Sequence, residues 1–362
     1  MIESVQQRVT GLDVVRCLMN YMIVLLHAWA AFQYVDCTTY EFYGWTFVCS
    51  HLCAMALPTF FLVSGYLMFQ KFSLNVWPNK MFRRVKRLLV PYLVWNVTFV
   101  VIYLNMAKMT PRIAERVAMF GLDSVRGCIS KIASLYVAPI DGPLWFLRAL
   151  LMLSLLAPIM WLLIKCWKGM VLLLVCFLWV GAELLFGLSK ILGNVIPSYG
   201  IFCFVIGGVV SVNGKNILEF FNRKKWIVIG LAACVIRAVL LIPYSVITDA
   251  PSRGTSFITQ YLFVFEAPAL IALVAQMKTE SMARTKQFVF LKDMSFFAYA
   301  GHFLICSSYL HLIAPRLGFM HAFKFTTLIL AFVGLGVSTM GVLYWFGKRS
   351  FPKLMKLWDG SL

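Results

Sequence analysis

The chain has 362 residues, 61% of them hydrophobic and only 13% charged, with a net charge of +19 from 33 Lys and Arg against 14 Asp and Glu. A soluble domain carries roughly 45–50% apolar and about 25% charged residues, so a water-soluble globule is excluded and a lipid-embedded bundle is implied. Most basic residues sit in short tracts between apolar runs, which marks membrane flanks and argues against nucleic acid as the partner.

A spanning helix needs about 20 mostly apolar residues. Ten stretches qualify: 12–33, 47–69, 88–106, 144–164, 170–188, 194–212, 226–244, 257–276, 293–313 and 324–346. The fold class expected is all-α, a polytopic membrane bundle forming a single domain over 1–362. With the N-terminus in the cytoplasm, 21 Lys and Arg fall inside and 9 outside, so an N-in, C-in topology is expected. The exception is the outer loop 107–143, with Lys108, Arg112, Arg116, Arg126 and Lys131 and room for a surface helix near 123–138. No cleaved signal peptide is expected, because Asp13 and Arg16 interrupt the first apolar run. The ten cysteines lie mostly inside apolar runs and form no disulfide framework.

An ionisable residue inside a span is costly unless it is paired or faces a wet cavity. The first span carries Asp13, Arg16, Asn20 and His27. Arg16 and His27 are eleven positions apart, which is about 20° around a helix and about 16 Å along it. One polar stripe therefore crosses most of the bilayer, with Arg16 near the cytoplasmic surface and His27 in the outer third. A buried structural histidine is the bland reading, and the full stripe favours a lined cavity.

The second span ends in Pro58-Thr59-Phe60-Phe61-Leu62-Val63-Ser64-Gly65-Tyr66-Leu67, which puts Ser64 at the depth of Arg16. Ser64-Gly65 suits close helix packing and equally the rim of a cytoplasmic pocket. Lys80, Arg83, Arg84 and Arg87 share a helix face before the third span. They suit a membrane anchor, and equally a phosphate clamp, since guanidinium forks match phosphate oxygens.

The fourth span opens Asp141-Gly142-Pro143-Leu144-Trp145-Phe146-Leu147-Arg148. Asp141 suits a helix N-cap, Trp145 an aromatic belt, and Arg148 either outward snorkelling or stabilisation of an anion. Glu183 and Arg237 suit an ion pair, and Glu266 and His302 lie nearer the midplane as cavity candidates. Cys49, His51 and Cys53 resemble a metal set, but on a helix His51 points about 200° from Cys49, so no metal site is expected. No nucleotide-binding glycine motif is present, which argues against ATP-driven chemistry.

These residues together resemble the acyltransferase-3 family of bacterial membrane O-acyltransferases. Gly11-Leu12-Asp13-Val14-Val15-Arg16 followed by His27 resembles its first-helix signature, an Arg and a His separated by ten residues. The stretch from Pro58 to Leu67 is similar to its second-helix motif, and Arg83-Arg84-Val85-Lys86-Arg87-Leu88-Leu89-Val90-Pro91-Tyr92 to its third. Leu144-Trp145-Phe146-Leu147 and Ser295-Phe296-Phe297-Ala298-Tyr299-Ala300-Gly301-His302 match later ones.

The resemblance implies acyl transfer, acetyl foremost, from cytoplasmic acyl-CoA to a hydroxyl of a cell-surface glycan or lipid-linked precursor, in a bacterial inner membrane. The expected relatives are stand-alone members such as enterobacterial common antigen O-acetyltransferases. In this reading Arg16, Ser64, Arg83, Arg84 and Arg87 meet the donor. His27 acts as general base or transient acyl carrier, and Arg148 stabilises the oxyanion. Asp13, Asn20, Trp145, Glu266 and His302 line the cavity. The partners are acyl-CoA (acetyl-CoA), the glycan acceptor and membrane lipids. A lipid-linked sugar transporter is the alternative and would show inverted repeats, which the sequence lacks. A non-catalytic scaffold would not need the polar stripe.

Overall fold

A computed structural model of the chain describes residues 2–32, 39–133, 139–168, 170–171, 174–175, 196–247, 253–277, 279–308 and 325–362. The described residues are helical and contain no strand. Helix α1 (Ile2–Phe32) is followed by α2 (Thr39–Trp45), which runs through a π-helical turn (Thr46–Leu52) and a 3-10 turn (Cys53–Met55) into α3 (Ala56–Phe69). Next, α4 (Trp77–Arg84) passes through a π-helical turn (Val85–Leu89) into α5 (Val90–Ala107). Two short helices, α6 (Pro111–Met119) and α7 (Val125–Ala133), occupy the loop 107–143.

A 3-10 turn (Gly142–Leu144) leads into α8 (Trp145–Leu155), and α9 (Ala157–Trp167) is bent 58° from that segment. Pro158 in the first turn of α9 suits the bend, because proline starts a helix but cannot continue one. Then come α10 (Ser198–Val212), α11 (Ile217–Phe221), α12 (Lys224–Ile247), α13 (Arg253–Gln276), α14 (Thr279–Ala283), α15 (Lys286–Ser308), α16 (Phe325–Ser350) and α17 (Pro352–Asp359).

The protein is a polytopic membrane bundle. Among the described residues five continuous helical stretches are long and apolar enough to span, Gly11–Ala28, Tyr40–Phe69, Trp77–Ala107, Lys286–Cys306 and Thr326–Ser350, and the bent α8–α9 pair makes a sixth. The expected fifth span lies mostly outside the described residues. Apolar residues face outwards along α12 (Val228, Leu231, Val235, Ile236, Val239) and α16 (Leu330, Leu335, Val342, Phe346). Water would penalise such ribs, whereas lipid accepts them.

Close contact between α3 and α10 fixes the centre of the bundle. A Cβ on Gly65 would lie 2.0 Å from the Phe204 carbonyl oxygen, and one on Gly207 would lie 2.0 Å from that of Leu62. Only glycine lets these two backbones touch, which is the small-residue packing that membrane helices favour.

Candidate active site

Two adjoining cavities, sharing Arg16, Phe60, Ser64, Leu88, Leu150 and Phe296 as walls, form the lobes of one site where α1, α3, α4, α15 and α17 meet. Its larger lobe, about 480 Å³, is lined by Arg16, Ser64, Lys80, Arg83, Arg84 and Arg87, with Asp359 and Gly360 of the C-terminal turn. Its smaller lobe, about 310 Å³, shares Arg16 and Ser64 and reaches Asp13, Asn20, Ser295 and Tyr299. Gly65 packs against α10 while Ser64 lines the cavity.

The cations divide by what they touch. Lys80 donates from Nζ to the carbonyl oxygens of Met68 (2.8 Å) and Gln70. Arg84 donates to the Ser64 carbonyl at 3.1 Å and the Ser154 hydroxyl at 3.2 Å. Lys80 thus serves the exposed carbonyls at the C-terminal end of α3, where positive charge is favoured. Among the described residues Arg16, Arg83 and Arg87 make no hydrogen bond or ion pair, so their forks remain open to a ligand.

The polar stripe of α1 meets a matching stripe on α15. Asn20 Nδ2 donates to Ser295 Oγ at 3.0 Å, and the rings of His27 and His302 lie 5.1 Å apart. Both pairs have the same sequence offset, so the two helices run parallel and in register. Their polar rungs are seven residues, or about 10 Å, apart along the axis. Near the cavity mouth Lys292 approaches Asp13 at 4.0 Å.

The two histidines are oriented alike. Nδ1 of His27 bonds the Ile23 carbonyl (2.9 Å), and Nδ1 of His302 bonds the Tyr299 carbonyl (2.5 Å). A carbonyl only accepts, so each Nδ1 carries the proton, and in the neutral ring Nε2 keeps the lone pair. The Nε2 of His302 is buried with no hydrogen-bond partner among the described residues.

The cavity ends short of these imidazoles. Its inner wall is Phe60, Phe146 and Tyr299, with Phe60 rings 5.0 Å from Phe146 and 6.5 Å from Tyr299. Tyr299 in turn lies 6.3 Å from His302. The expected channel from Arg16 to His27 is therefore an open cavity as far as Asn20, then an aromatic partition, then the histidine pair.

Several expectations are corrected. Arg148 does not snorkel: it is 2% exposed within α8, and it lies outside the cavity lining to which its neighbours Leu147 and Leu150 belong. Trp145 packs edge-on against Phe146 at 6.0 Å and lies 6.2 Å from Phe61, behind the partition. Glu266 is not a lining residue either. It forms a fully buried bidentate pair with Arg237, at 2.7 and 3.0 Å. The partner of Arg237 among the described residues is thus Glu266, and the expected pairing with Glu183 falls outside the described residues.

Arg237 also donates to Nδ1 of His51 (3.1 Å). Asp141 stands at the N-cap position but makes no capping bond. It is fully buried, both its oxygens lack hydrogen bonds among the described residues, and burial pushes its carboxyl well above the usual carboxylate range.

Asp359, Gly360 and Lys292 were missed by sequence reasoning. Lys292 had a signal, standing three residues before Ser295 on the face that meets α1. The C-terminal pair had none.

The family model described as an acyltransferase domain matches residues 9–348, nearly the whole chain. No curated protein and no solved structure matches. With a match over nearly its whole length, the chain belongs to the acyltransferase-3 family of membrane acyltransferases.

Proposed function

We propose that the protein moves an acyl group, acetyl foremost, from cytoplasmic acyl-CoA to a hydroxyl of a cell-surface glycan or its lipid-linked precursor, in a bacterial inner membrane. The observation that carries this is the charge of the cavity. Arg16, Lys80, Arg83, Arg84 and Arg87 face it with Asp359 as the acid of the same lobe. A CoA carries a diphosphate and a 3′-phosphate, the latter alone about −1.5 to −2 at pH 7, and the cationic wall complements that charge.

The thioester end lies along the smaller lobe towards Asn20, and the aromatic partition parts to bring it to the imidazoles. Nε2 of His27 takes the proton of the acceptor hydroxyl as its oxygen attacks the thioester carbonyl carbon. The C–S bond breaks, and the departing thiolate takes that proton from His27, so the base is regenerated. A transient acyl-histidine would use the same nitrogen. The Nε2 of His302, without a partner among the described residues, holds the acceptor by accepting from one of its hydroxyls, a role that suits a polyol.

The test is thiol release from acetyl-CoA by the purified chain in nanodiscs, wild type beside His27→Ala, with a glycolipid extract as acceptor. Release by wild type and a fall of about a hundredfold or more in an equally folded variant is expected. Equal release would remove His27 from the chemistry. Silence of the wild type with acceptor present would favour the transporter.

A further inference from the structure

The C-terminal helix belongs to the donor site. After α16 the chain turns back at Phe351, and α17 runs under α5. Trp95 Nε1 donates to the Trp358 carbonyl at 3.0 Å, and Trp358 Nε1 donates to Thr98 Oγ1 at 3.2 Å. The helix ends at Gly360, whose φ of 69° is open to glycine at little cost. A Cβ there would lie 3.2 Å from the Arg87 carbonyl oxygen and 3.3 Å from the Phe296 ring. Asp359 is 3% exposed, and its carboxylate meets Lys348 at 2.5 Å and the Ser361 amide at 3.0 Å. Asp359 and Gly360 both line the lobe that holds Arg83, Arg84 and Arg87.

We infer that Lys348 and Asp359 form a latch that presses the C-terminal turn against Arg87 and Phe296, so that the turn forms one wall of the site for the phosphate-bearing end of the donor. This rests on the acyl-CoA reading above. The latch acts through Arg87 and the wall, so both its members are positioning residues. Arg87 sits in the π-helical turn Val85–Leu89, and among the described residues its guanidinium is not tied to the protein. Gly360 leaves room for the Arg87 carbonyl, which a Cβ there would meet at 3.2 Å, so the turn borders the backbone from which that guanidinium starts.

The alternative role for Asp359 is plain charge in the cavity wall, and the two roles predict opposite signs. As a charge, Asp359 repels the donor, and Asp359→Asn would tighten binding. As a latch, it holds the wall, and Asp359→Asn loosens binding.

The experiment is equilibrium binding of CoA, and separately of inorganic pyrophosphate, to the full chain in nanodiscs. Lys348→Met and Asp359→Asn are each expected to weaken CoA by about tenfold, and Lys348→Arg, which keeps the pair, by less than about twofold. In Lys348→Met, whose lysine lies outside the cavity lining, thiol release at saturating acetyl-CoA should stay near the wild-type rate while KM rises. Unchanged or tighter CoA binding in Asp359→Asn, in a protein with wild-type Tm, would overturn the latch. Should wild type bind pyrophosphate but not CoA, the donor reading fails and the same variants judge the latch on pyrophosphate. Binding of neither probe by wild type would overturn both.

Discussion

Two regions of this bundle gather arginine in the membrane domain, and they differ in what the guanidiniums meet. Arg237 is surrounded by acceptors. Its Nε and Nη2 take both oxygens of Glu266, Nη1 meets the Ser50 carbonyl and His51 Nδ1, and Nη2 also reaches the His51 carbonyl. The ring of Phe263 covers it at 4.1 Å. The cavity arginines are the reverse, because Arg84 makes two bonds and Arg16, Arg83 and Arg87 make none among the described residues. A cation that the protein satisfies is architecture, whereas a cluster left open at a cavity awaits an anion. Residue type alone does not separate the two, since both are arginines on or beside predicted spans.

The sharpest way to break this contrast is to remove charge from the closed cluster. Arg237→Met leaves Glu266 buried and uncompensated, and a loss of about 3–5 kcal/mol is expected, read as a fall in Tm in detergent. Replacing both members, Arg237→Met with Glu266→Leu, should recover most of it, because two apolar groups leave no buried charge. A single variant with wild-type Tm but a raised KM for acyl-CoA would move Arg237 into the ligand site and erase the distinction.

Next in size is the open cluster. Arg87→Ala is expected to raise the KM for acyl-CoA about tenfold with kcat little changed and Tm unaltered, since its guanidinium holds nothing among the described residues. Arg84→Ala should raise KM and also lower Tm, because it frees the Ser64 carbonyl and the Ser154 hydroxyl. If neither variant moves KM, the basic face is only an anchor to the membrane surface.

The sequence made the membrane class legible because apolar runs of about 20 residues have few alternative uses. It made the basic face legible too, since i, i+3, i+4, i+7 spacing survives in α4 and the following turn, and it brought Arg16, Ser64 and Asn20 to one cavity. Helical periodicity, however, reports which residues of one helix share a face and not which other helix that face meets. Nothing in the spacing therefore marks Glu266 as a partner of Arg237, or shows that Arg148 lies outside the cavity lining to which Leu147 and Leu150 of its own helix belong. The partition of Phe60, Phe146 and Tyr299 was invisible for the same reason, because three aromatic residues from three helices converge only in space. Asp359 was hidden because nothing local marks a C-terminal turn that folds back across 263 positions against α5.

One pairing was readable and overlooked. Asn20 and His27 are seven apart on α1, and Ser295 and His302 are seven apart on α15, the repeat that keeps two parallel helices in register. The lower rung serves the packing of the site and the upper rung its chemistry, which yields the smallest effect expected here. Ser295→Ala removes the oxygen that accepts from Asn20 and leaves a buried amide donor unpaired, at a cost of about 1 kcal/mol. Tm should fall slightly, and transfer should stay within about twofold of wild type. His302→Gln keeps a polar side chain of similar length in the upper rung. It should leave Tm near the wild-type value yet slow transfer by about tenfold, with the loss in acceptor-dependent turnover and not in CoA binding. If the lower-rung variant lost as much activity as the upper one, the two rungs would be a single structural ladder, and the histidine pair would lose its claim to the acceptor.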